Sequence, residues 1–389
     1  MKKILYLHAG AEMYGADKVL LDLIKGLDKE SFEAHVILPN HGVLVSELEK
    51  VGAIVSVLPY PILRRKYFTP KGILHYFKDY FSYSKELVSY AKSLKIDLIH
   101  NNTTAVFEGM YLAKKAHIPL VWHIHEIILK PRFIYEIMSY LISRKSTKVV
   151  AVSKAVKSHF ESSRFWKQKQ TIDVIYNGVD SEIYHPYVEE DRQKLKEDYQ
   201  ISNDRKVIGM IGRVNAWKGQ RDFLDAVEPL LKEDATLHAV MVGGVFEGEE
   251  WRMEELLAAV ESSPISKQIT VKDFDPNTVD LYNLFDVFVL PSTNPDPLPT
   301  VVLEAMACGK PIVAYRHGGV TEMVVENYNG QFAEVKNSQD LSEKIKEVLE
   351  DSARLEQYSQ HSRNRQVEAF SLKSYVERFS KMYNKVTEE

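Results

Sequence analysis

Short, nearly unbroken apolar runs recur along the first half of the chain with helical stretches between them: KILYLH, EAHVILP, DLIHNN, PLVWHIH, KVVAVS and DVIYNG. Runs that do not alternate with polar residues suit strands covered on both faces, as in a parallel sheet flanked by helices. Around residues 183–206 the apolar runs stop and the chain becomes densely charged, which marks a linker with a short helix. The pattern then restarts with KVIGMIGRV, LHAVMVGG, QITVKDF, VFVLPS and PIVAY. It predicts two similar α/β halves, 1–183 and 184–370. The last segment, SLKSYVERFSKMYNKV, sets Leu372, Tyr375, Phe379 and Met382 at helical spacing, so 371–389 reads as an amphipathic helix with a stripe to bury.

Length supports the division. At 389 residues and 45% hydrophobic content the chain exceeds what one core usually holds, and two domains imply a cleft between them. No short-period repeat is present, which removes solenoids and propellers. A formal charge of −4 argues against a general nucleic-acid binder. The one cysteine, Cys308, excludes an internal disulfide framework and a cysteine-rich metal site, and fits a reducing compartment. The opening MKKILYLHAGAEMYG has an apolar run too short for the roughly 7–15 residues of a secretory signal, and no stretch approaches the about 20 residues that span a bilayer. A soluble, cytoplasmic protein is expected.

In open α/β sheets ligands bind beyond the carboxyl ends of the strands, so the residues directly after each apolar run carry the candidate chemistry. After the first run, Gly10 and Gly15 bracket a loop opening into a helix: an anion cradle, or only a tight turn, since the spacing is not GxGxxG. His123, His125 and Glu126 follow PLVW; they read either as strand-end histidines bonded to backbone or as a metal pair, and without a third ligand zinc is rejected. Gly212, Arg213 and Lys218 follow the first run of the second half. A guanidinium fork and an ammonium there could hold a diphosphate in place of a metal ion, or could be two solvated cations. Asp273 and Asp275 form a DxD pair able to take magnesium or manganese, but the segment turns at Pro276, and the same loop, with Phe274 between the acids, could border a nucleobase.

The stretch DPLPTVVLEAMACGKP joins Asp296, Pro297, Leu298 and Pro299 to an apolar helix. Proline suits the first helical position, which predicts that Pro299 begins the helix and that Thr300, Val301 and Val302 present free amides to an anion. Glu304 lies one turn further in, among Val301, Leu303, Ala305 and Met306. A carboxylate in that setting needs hydrogen-bond donors, which ribose hydroxyls would supply, while Asp296 could bind hydroxyls of a second sugar. Otherwise Asp296 is a loop cap and Glu304 an ordinary surface helix residue.

Asp296-x7-Glu304 followed by AMACGKPIVA resembles the E-x7-E motif of retaining glycosyltransferases of GT-B fold, in family four. GADKVLLDLI resembles that family's glycine loop and first helix, HIHE its His-acid pair, and VVAVSKAVK the close of its N-terminal domain. VIYNGVDSEIYHP resembles its interdomain entry, IGRVNAWKG its diphosphate loop, and HGGVTEMV the stretch after the last sheet strand. The likeness runs in order over most of the chain. It implies two Rossmann-like domains with parallel sheets facing across a deep cleft, an acceptor-binding 1–183, a donor-binding 184–370, and a terminal helix packed back on the first domain.

By position the resemblance assigns Arg213 and Lys218, with Gly212, Thr300 and Val301, to the donor diphosphate, Glu304 to the ribose and Asp296 to the transferred sugar. His125 would sit against that sugar, and Gly15 near the acceptor and phosphates. No metal or other cofactor is implied; the co-substrate is a nucleotide-diphosphate sugar. Retention without a nucleophile implies attack and departure on one face of the sugar, the leaving diphosphate taking the acceptor's proton. Two departures stand out. The family usually has glutamate at Asp296 and glycines at Pro297 and Pro299, which points to a reshaped sugar pocket, for instance for a deoxysugar such as rhamnose or fucose. A non-catalytic nucleotide-sugar sensor or partner subunit is the alternative; a 2-epimerase would lack this helix, and a phosphorylase would need a cofactor lysine that has no place here.

The expected acceptor is a glycan or a polyprenyl-linked glycan of cell-surface polysaccharide synthesis, such as capsule or lipopolysaccharide. In PYPILRRKYFTPKGILHYFKDYF, Arg64, Arg65, Lys66 and Lys71 mix with aromatics, and LKPRFIYEIMSYLISRKSTK repeats the theme. Each suits either a solvated helix face or an anionic membrane surface at the inner face of the cell membrane.

Overall fold

The computed structural model describes residues 1–64 and 67–388, so Arg65 and Lys66 lie outside the described residues. The chain forms two units: Met1–Gly178 together with the chain from Leu372 onward, and Val179–Ser371.

The first unit holds strands β1 (Lys2–Leu7), β2 (Phe32–Leu38), β3 (Ile54–Val57), β4 (Leu98–Asn101), β5 (Leu120–Ile124), β6 (Lys148–Ala151) and β7 (Ile172–Val174). They lie in the order β3-β2-β1-β4-β5-β6-β7, and every pairing is parallel. β4 and β5 are buried throughout, as continuous apolar runs require. The helix Leu372–Glu388 buries Tyr375, Val376, Phe379, Met382, Tyr383 and Val386 in this unit's core. Full burial of Phe379 contributes about 1.5–3 kcal/mol. Gly26 lets the helix approach closely, because a Cβ there would lie 2.5 Å from Val376 Cγ2.

The second unit holds β8 (Lys206–Ile211), β9 (Leu237–Val242), β10 (Ile269–Lys272), β11 (Val287–Leu290), β12 (Ile312–Tyr315) and β13 (Gly330–Ala333). Their order is β10-β9-β8-β11-β12-β13, again parallel throughout. Both units are thus Rossmann-like, as the fold reading expected. In each sheet the strand order reverses beside its first strand, between β1 and β4 and between β8 and β11. Those are the switch points where doubly wound sheets bind ligands.

Two strands were not among the predicted runs. β3 is a four-residue edge strand with no fully buried residue. β13 opens on Gly330, where a Cβ would lie 2.0 Å from Ile312 O, so tight strand contact replaces apolar bulk; HGGVTEMV therefore lies between β12 and β13 and not after the last strand as expected. The run DVIYNG was read as a strand, yet only its first residues lie in β7, which ends at Val174. Among the described residues no helix is long and apolar enough to cross a membrane.

Candidate active site

In the second unit, β8 delivers the chain into a turn that aims Lys218. Asn215 Oδ1 accepts the amide hydrogens of Trp217 (3.0 Å) and Lys218 (2.9 Å). Gly219 has φ +83° and a Cβ there would lie 1.9 Å from Pro291 O, so only glycine fits. Gln220, the first residue of the helix Gln220–Glu233, donates through Nε2 to the carbonyls of Gly212 (3.1 Å) and Arg213 (3.0 Å). Lys218 Nζ reaches Asp296 Oδ1 at 2.7 Å, in a pair whose side chains are only 17% and 8% exposed. The Arg213 guanidinium stacks on Phe246, 3.6 Å from the ring centroid. Neither cation is a solvated surface charge.

The loop after β11 leads to the helix Thr300–Ala307. Pro299 is its N-cap, with φ −68° and ψ 112°, and not the first helical residue as expected. The ring fixes φ alone, and φ suits both positions; the extended ψ decides between them. The Pro299 carbonyl accepts from the Val302 amide (3.1 Å), so that amide is not free as expected, whereas those of Thr300 and Val301 have no partner among the described residues. Leu298 is buried. The backbone of 296–297 rests on a glycine pair after β12: Gly319 N donates to Asp296 O (2.8 Å), and a Cβ on Gly319 would lie 2.0 Å from Pro297 O. Gly318 has φ +65°, and a Cβ there would lie 2.5 Å from Asp296 O.

Glu304 is buried, and its Oε2 accepts from the Tyr282 hydroxyl at 2.7 Å. One of the donors its carboxylate needs therefore comes from the protein. Asp296 Oδ2, Ser292 Oγ and Gln220 Oε1 are buried without a partner around the ends of β8 and β11, a cluster of unmet hydrogen-bonding capacity suited to a hydroxylated ligand. The DxD acids are turn caps. Asp275 pairs with Lys272 (2.6 Å), whose hydrogen bond holds its carboxyl below the usual range, and accepts from Asn277 N (2.8 Å). Asp273 accepts from Phe274 N (2.6 Å), and the Phe274 ring is exposed. Among the described residues no group of three or more His, Cys, Asp or Glu side chains could hold a metal ion.

In the first unit, polar residues gather where β1, β4 and β5 end. His8 Nε2 lies 2.6 Å from Asp17 Oδ1, and Asp17 Oδ2 accepts from Tyr14 N (2.8 Å) at the start of the helix Gly15–Gly26. Neither Gly10 nor Gly15 is in the left-handed region. Asn102 Nδ2 lies 3.1 Å from His8 Nδ1, and Asn102 Oδ1 lies 3.1 Å from His125 Nε2 and 3.2 Å from His123 Nδ1. The two histidines thus bond to a side chain, where the sequence suggested backbone or metal. Burial, reinforced by neighbouring imidazoles, pushes His125 down to about 3 and His123 well below its usual value, so both are neutral. Glu126 does not pair with the His125 ring; it accepts from the Thr103 hydroxyl and from the amides of Thr104 (3.2 Å) and His125 (3.1 Å).

Sequence reasoning assigned no role to His8, Asp17, Asn102, Gln220, Tyr282 or the glycines 318 and 319. Their signal was positional: His8 and Asn102 come directly after β1 and β4, and the glycine pair follows β12 closely.

Residues 13–183 match the family model described as Glycosyltransferase Family 4, and residues 191–365 the one described as Glycosyl transferases group 1. The N,N'-diacetylbacillosaminyl-diphospho-undecaprenol alpha-1,3-N-acetylgalactosaminyltransferase of Campylobacter jejuni is 28% identical over 360 residues, 88% of each chain. Spore coat protein SA of Bacillus subtilis is 27% identical over 233 residues; the match takes in 58% of this chain and 61% of that protein, less than two thirds of its length. Among solved structures, Anabaena Alr3699/HepE in complex with UDP and glucose aligns with a TM-score of 0.84 and 25% identity, over 99% of this chain and 100% of that one. Two adjoining family segments, each folded as a parallel Rossmann-like unit, carry the conclusion: the chain belongs to the group 1 glycosyltransferases of GT-B fold.

Proposed function

We propose that the protein is a retaining, metal-independent glycosyltransferase that moves a sugar from a nucleoside-diphosphate sugar to a glycan or polyprenyl-linked acceptor in cell-surface polysaccharide synthesis. One observation carries the reading: at the switch point of the second sheet, the Lys218–Asp296 pair adjoins the helix start whose Thr300 and Val301 amides have no partner among the described residues. Ammonium and amides together hold a diphosphate. Arg213 and the Gly212 backbone complete that grip. Glu304, with Tyr282 on one oxygen, offers the other to the ribose, Phe274 borders the base beside Leu298, and Asp296 Oδ2 takes a sugar hydroxyl. In the first unit, His125 serves the transferred sugar and Gly15 the acceptor side.

The chemistry is mainly positioning and charge stabilisation. As the bond from the sugar to the diphosphate breaks, the acceptor oxygen bonds to the same face and its proton passes to the departing diphosphate oxygen. Lys218 and the helix start stabilise the charge that develops there. The short Asp296, one oxygen of which is committed to Lys218, leaves fewer partners for sugar hydroxyls, which favours a donor such as a deoxysugar. UDP and glucose in the Anabaena structure support a sugar-nucleotide donor, and the diphospho-undecaprenol in the Campylobacter enzyme's name supports a lipid-linked acceptor.

A membrane contact at the cytoplasmic face belongs to the same proposal. Leu74, Phe77 and Phe81 on the helix Pro70–Leu94, and Phe133, Ile137 and Tyr140 on the helix Arg132–Lys145, are exposed, Leu74 to 75%. The Phe68 and Phe133 rings meet at 6.5 Å. Arg64, Lys71 and Arg144 belong to these segments. An apolar face with cations beside it suits anionic lipid.

The test is nucleotide release from a panel of uridine, guanosine and thymidine diphosphate sugars in EDTA, with a polyprenyl diphosphate-linked glycan presented in vesicles. One donor is expected to give release that depends on the acceptor and rises when the vesicles carry phosphatidylglycerol. Binding of a donor without release under any condition would instead identify a sensor or partner subunit, and release only with added divalent cation would overturn the metal-independent reading.

A further inference from the structure

The buried polar chain of the first unit has a direction, and it ends on His125. Asp17 Oδ2 is taken by the Tyr14 amide, and its Oδ1 faces His8 Nε2 at 2.6 Å. An ionised carboxylate only accepts, so that imidazole nitrogen carries hydrogen. The other nitrogen, His8 Nδ1, lies 3.1 Å from Asn102 Nδ2, an amide nitrogen that only donates, so His8 Nδ1 is the acceptor. The Asn102 carboxamide is thereby oriented, with Oδ1 turned toward His125 Nε2 (3.1 Å) and His123 Nδ1 (3.2 Å). A carbonyl oxygen only accepts. His123 Nε2 is buried without a partner, which a lone pair tolerates better than an N–H, so His123 carries its hydrogen on Nδ1. His125 Nε2 lies 3.1 Å from both His123 Nδ1 and Asn102 Oδ1, and it donates to the carbonyl that His123 also faces. Asp17, His8 and Asn102 are at most 5% exposed, which shields the chain from exchange with water. Among the described residues His125 Nδ1 has no hydrogen-bond partner.

We propose that Asp17, His8 and Asn102 are positioning residues that lock His125 in the tautomer with hydrogen on Nε2, so that its Nδ1 lone pair accepts a hydrogen bond from a substrate hydroxyl. The lock stands on geometry alone; the identity of the hydroxyl, on the sugar or the acceptor, rests on the glycosyl-transfer reading. A neutral ring with an outward lone pair attracts a hydroxyl and repels a phosphate oxygen. His125 therefore belongs to the sugar side of the reaction and not to the diphosphate. The opposite polarity needs either His125 Nε2 to accept from His123 Nδ1–H across their 3.1 Å contact, or His8 to hold both hydrogens with Asn102 turned over; in both cases His125 would present N–H from Nδ1.

The experiment is a two-bond proton–nitrogen spectrum of the full chain labelled with nitrogen-15 histidine, His125 being assigned by the signals that vanish in His125→Gln. In the wild type at neutral pH, Nε2 is expected to be pyrrole-type and Nδ1 pyridine-type. Asn102→Ala should move both nitrogens toward a common average. Asn102→Asp, whose carboxylate still only accepts, should keep the wild-type pattern at His125. Where transfer is measurable, Asn102→Ala should raise KM about tenfold with a smaller effect on kcat, the mark of a lost hydroxyl contact. A wild-type spectrum with hydrogen on Nδ1, or Asn102→Ala signals identical to wild type, would overturn the proposal. Should Asn102→Ala fail to fold, His8→Ala frees the carboxamide and is read in the same way. The spectra decide the lock whether or not any donor is turned over.

Discussion

Replacing Lys218 with alanine is expected to cut sugar transfer by at least about a hundredfold and to destabilise the second unit by roughly 3–5 kcal/mol. The two effects have separate causes. Lys218 Nζ sits 2.7 Å from Asp296 Oδ1 in a largely buried pair, and the other oxygen, Asp296 Oδ2, already lacks a partner. Without the ammonium, a buried carboxylate is left uncompensated. Such a charge costs more than the pair was worth, because the pair itself offset two desolvation penalties. The double variant Lys218→Ala/Asp296→Ala should therefore recover much of the lost stability and none of the activity. Urea midpoints and nucleotide release, measured on the same preparations, separate the two effects; a single variant as stable and as active as wild type would remove Lys218 from the site.

Glu304→Ala should be the second severe change. The Tyr282 hydroxyl, buried and donating to Glu304 Oε2 at 2.7 Å, would lose its acceptor, at a cost of about 1–3 kcal/mol. Transfer should fall by at least about a hundredfold, because the ribose loses its anchor in the same step. Glu304→Gln provides the contrast: its amide oxygen can still accept from Tyr282, so stability should stay within about 1 kcal/mol of wild type while donor KM rises. Stability comes from thermal unfolding and KM from initial rates with the preferred donor. Turnover of Glu304→Ala at the wild-type level would refute the ribose assignment.

These expectations draw on features of unequal legibility. The two sheets were readable because buried parallel strands are continuous apolar runs, and β1, β4, β8 and β11 carry that mark plainly. β3 and β13 were not, since one is a short edge strand and the other relies on a glycine. At the candidate site, residue types pointed to loops that the structure brings together: two cations after β8, and a proline-led helix after β11. What could not be read was pairing across distance in the sequence. Lys218 meets Asp296 across 78 positions, Tyr282 meets Glu304 across 22, and His8 meets Asn102 across 94. Nothing local to either partner encodes such a contact; the sheet order brings together the loops that carry Lys218 and Asp296 and those that carry His8 and Asn102, while Tyr282 and Glu304 meet between two helices. The placement of Pro299 failed for a local reason, because proline constrains φ and leaves ψ to the loop.

The most direct test of the central claim is a structure of the full chain with a nucleoside-diphosphate sugar, prepared in EDTA. The diphosphate is expected within hydrogen-bond distance of the Thr300 and Val301 amides and of Lys218 Nζ. A nucleotide bound away from the start of that helix, or one that binds only after magnesium is restored, would contradict it.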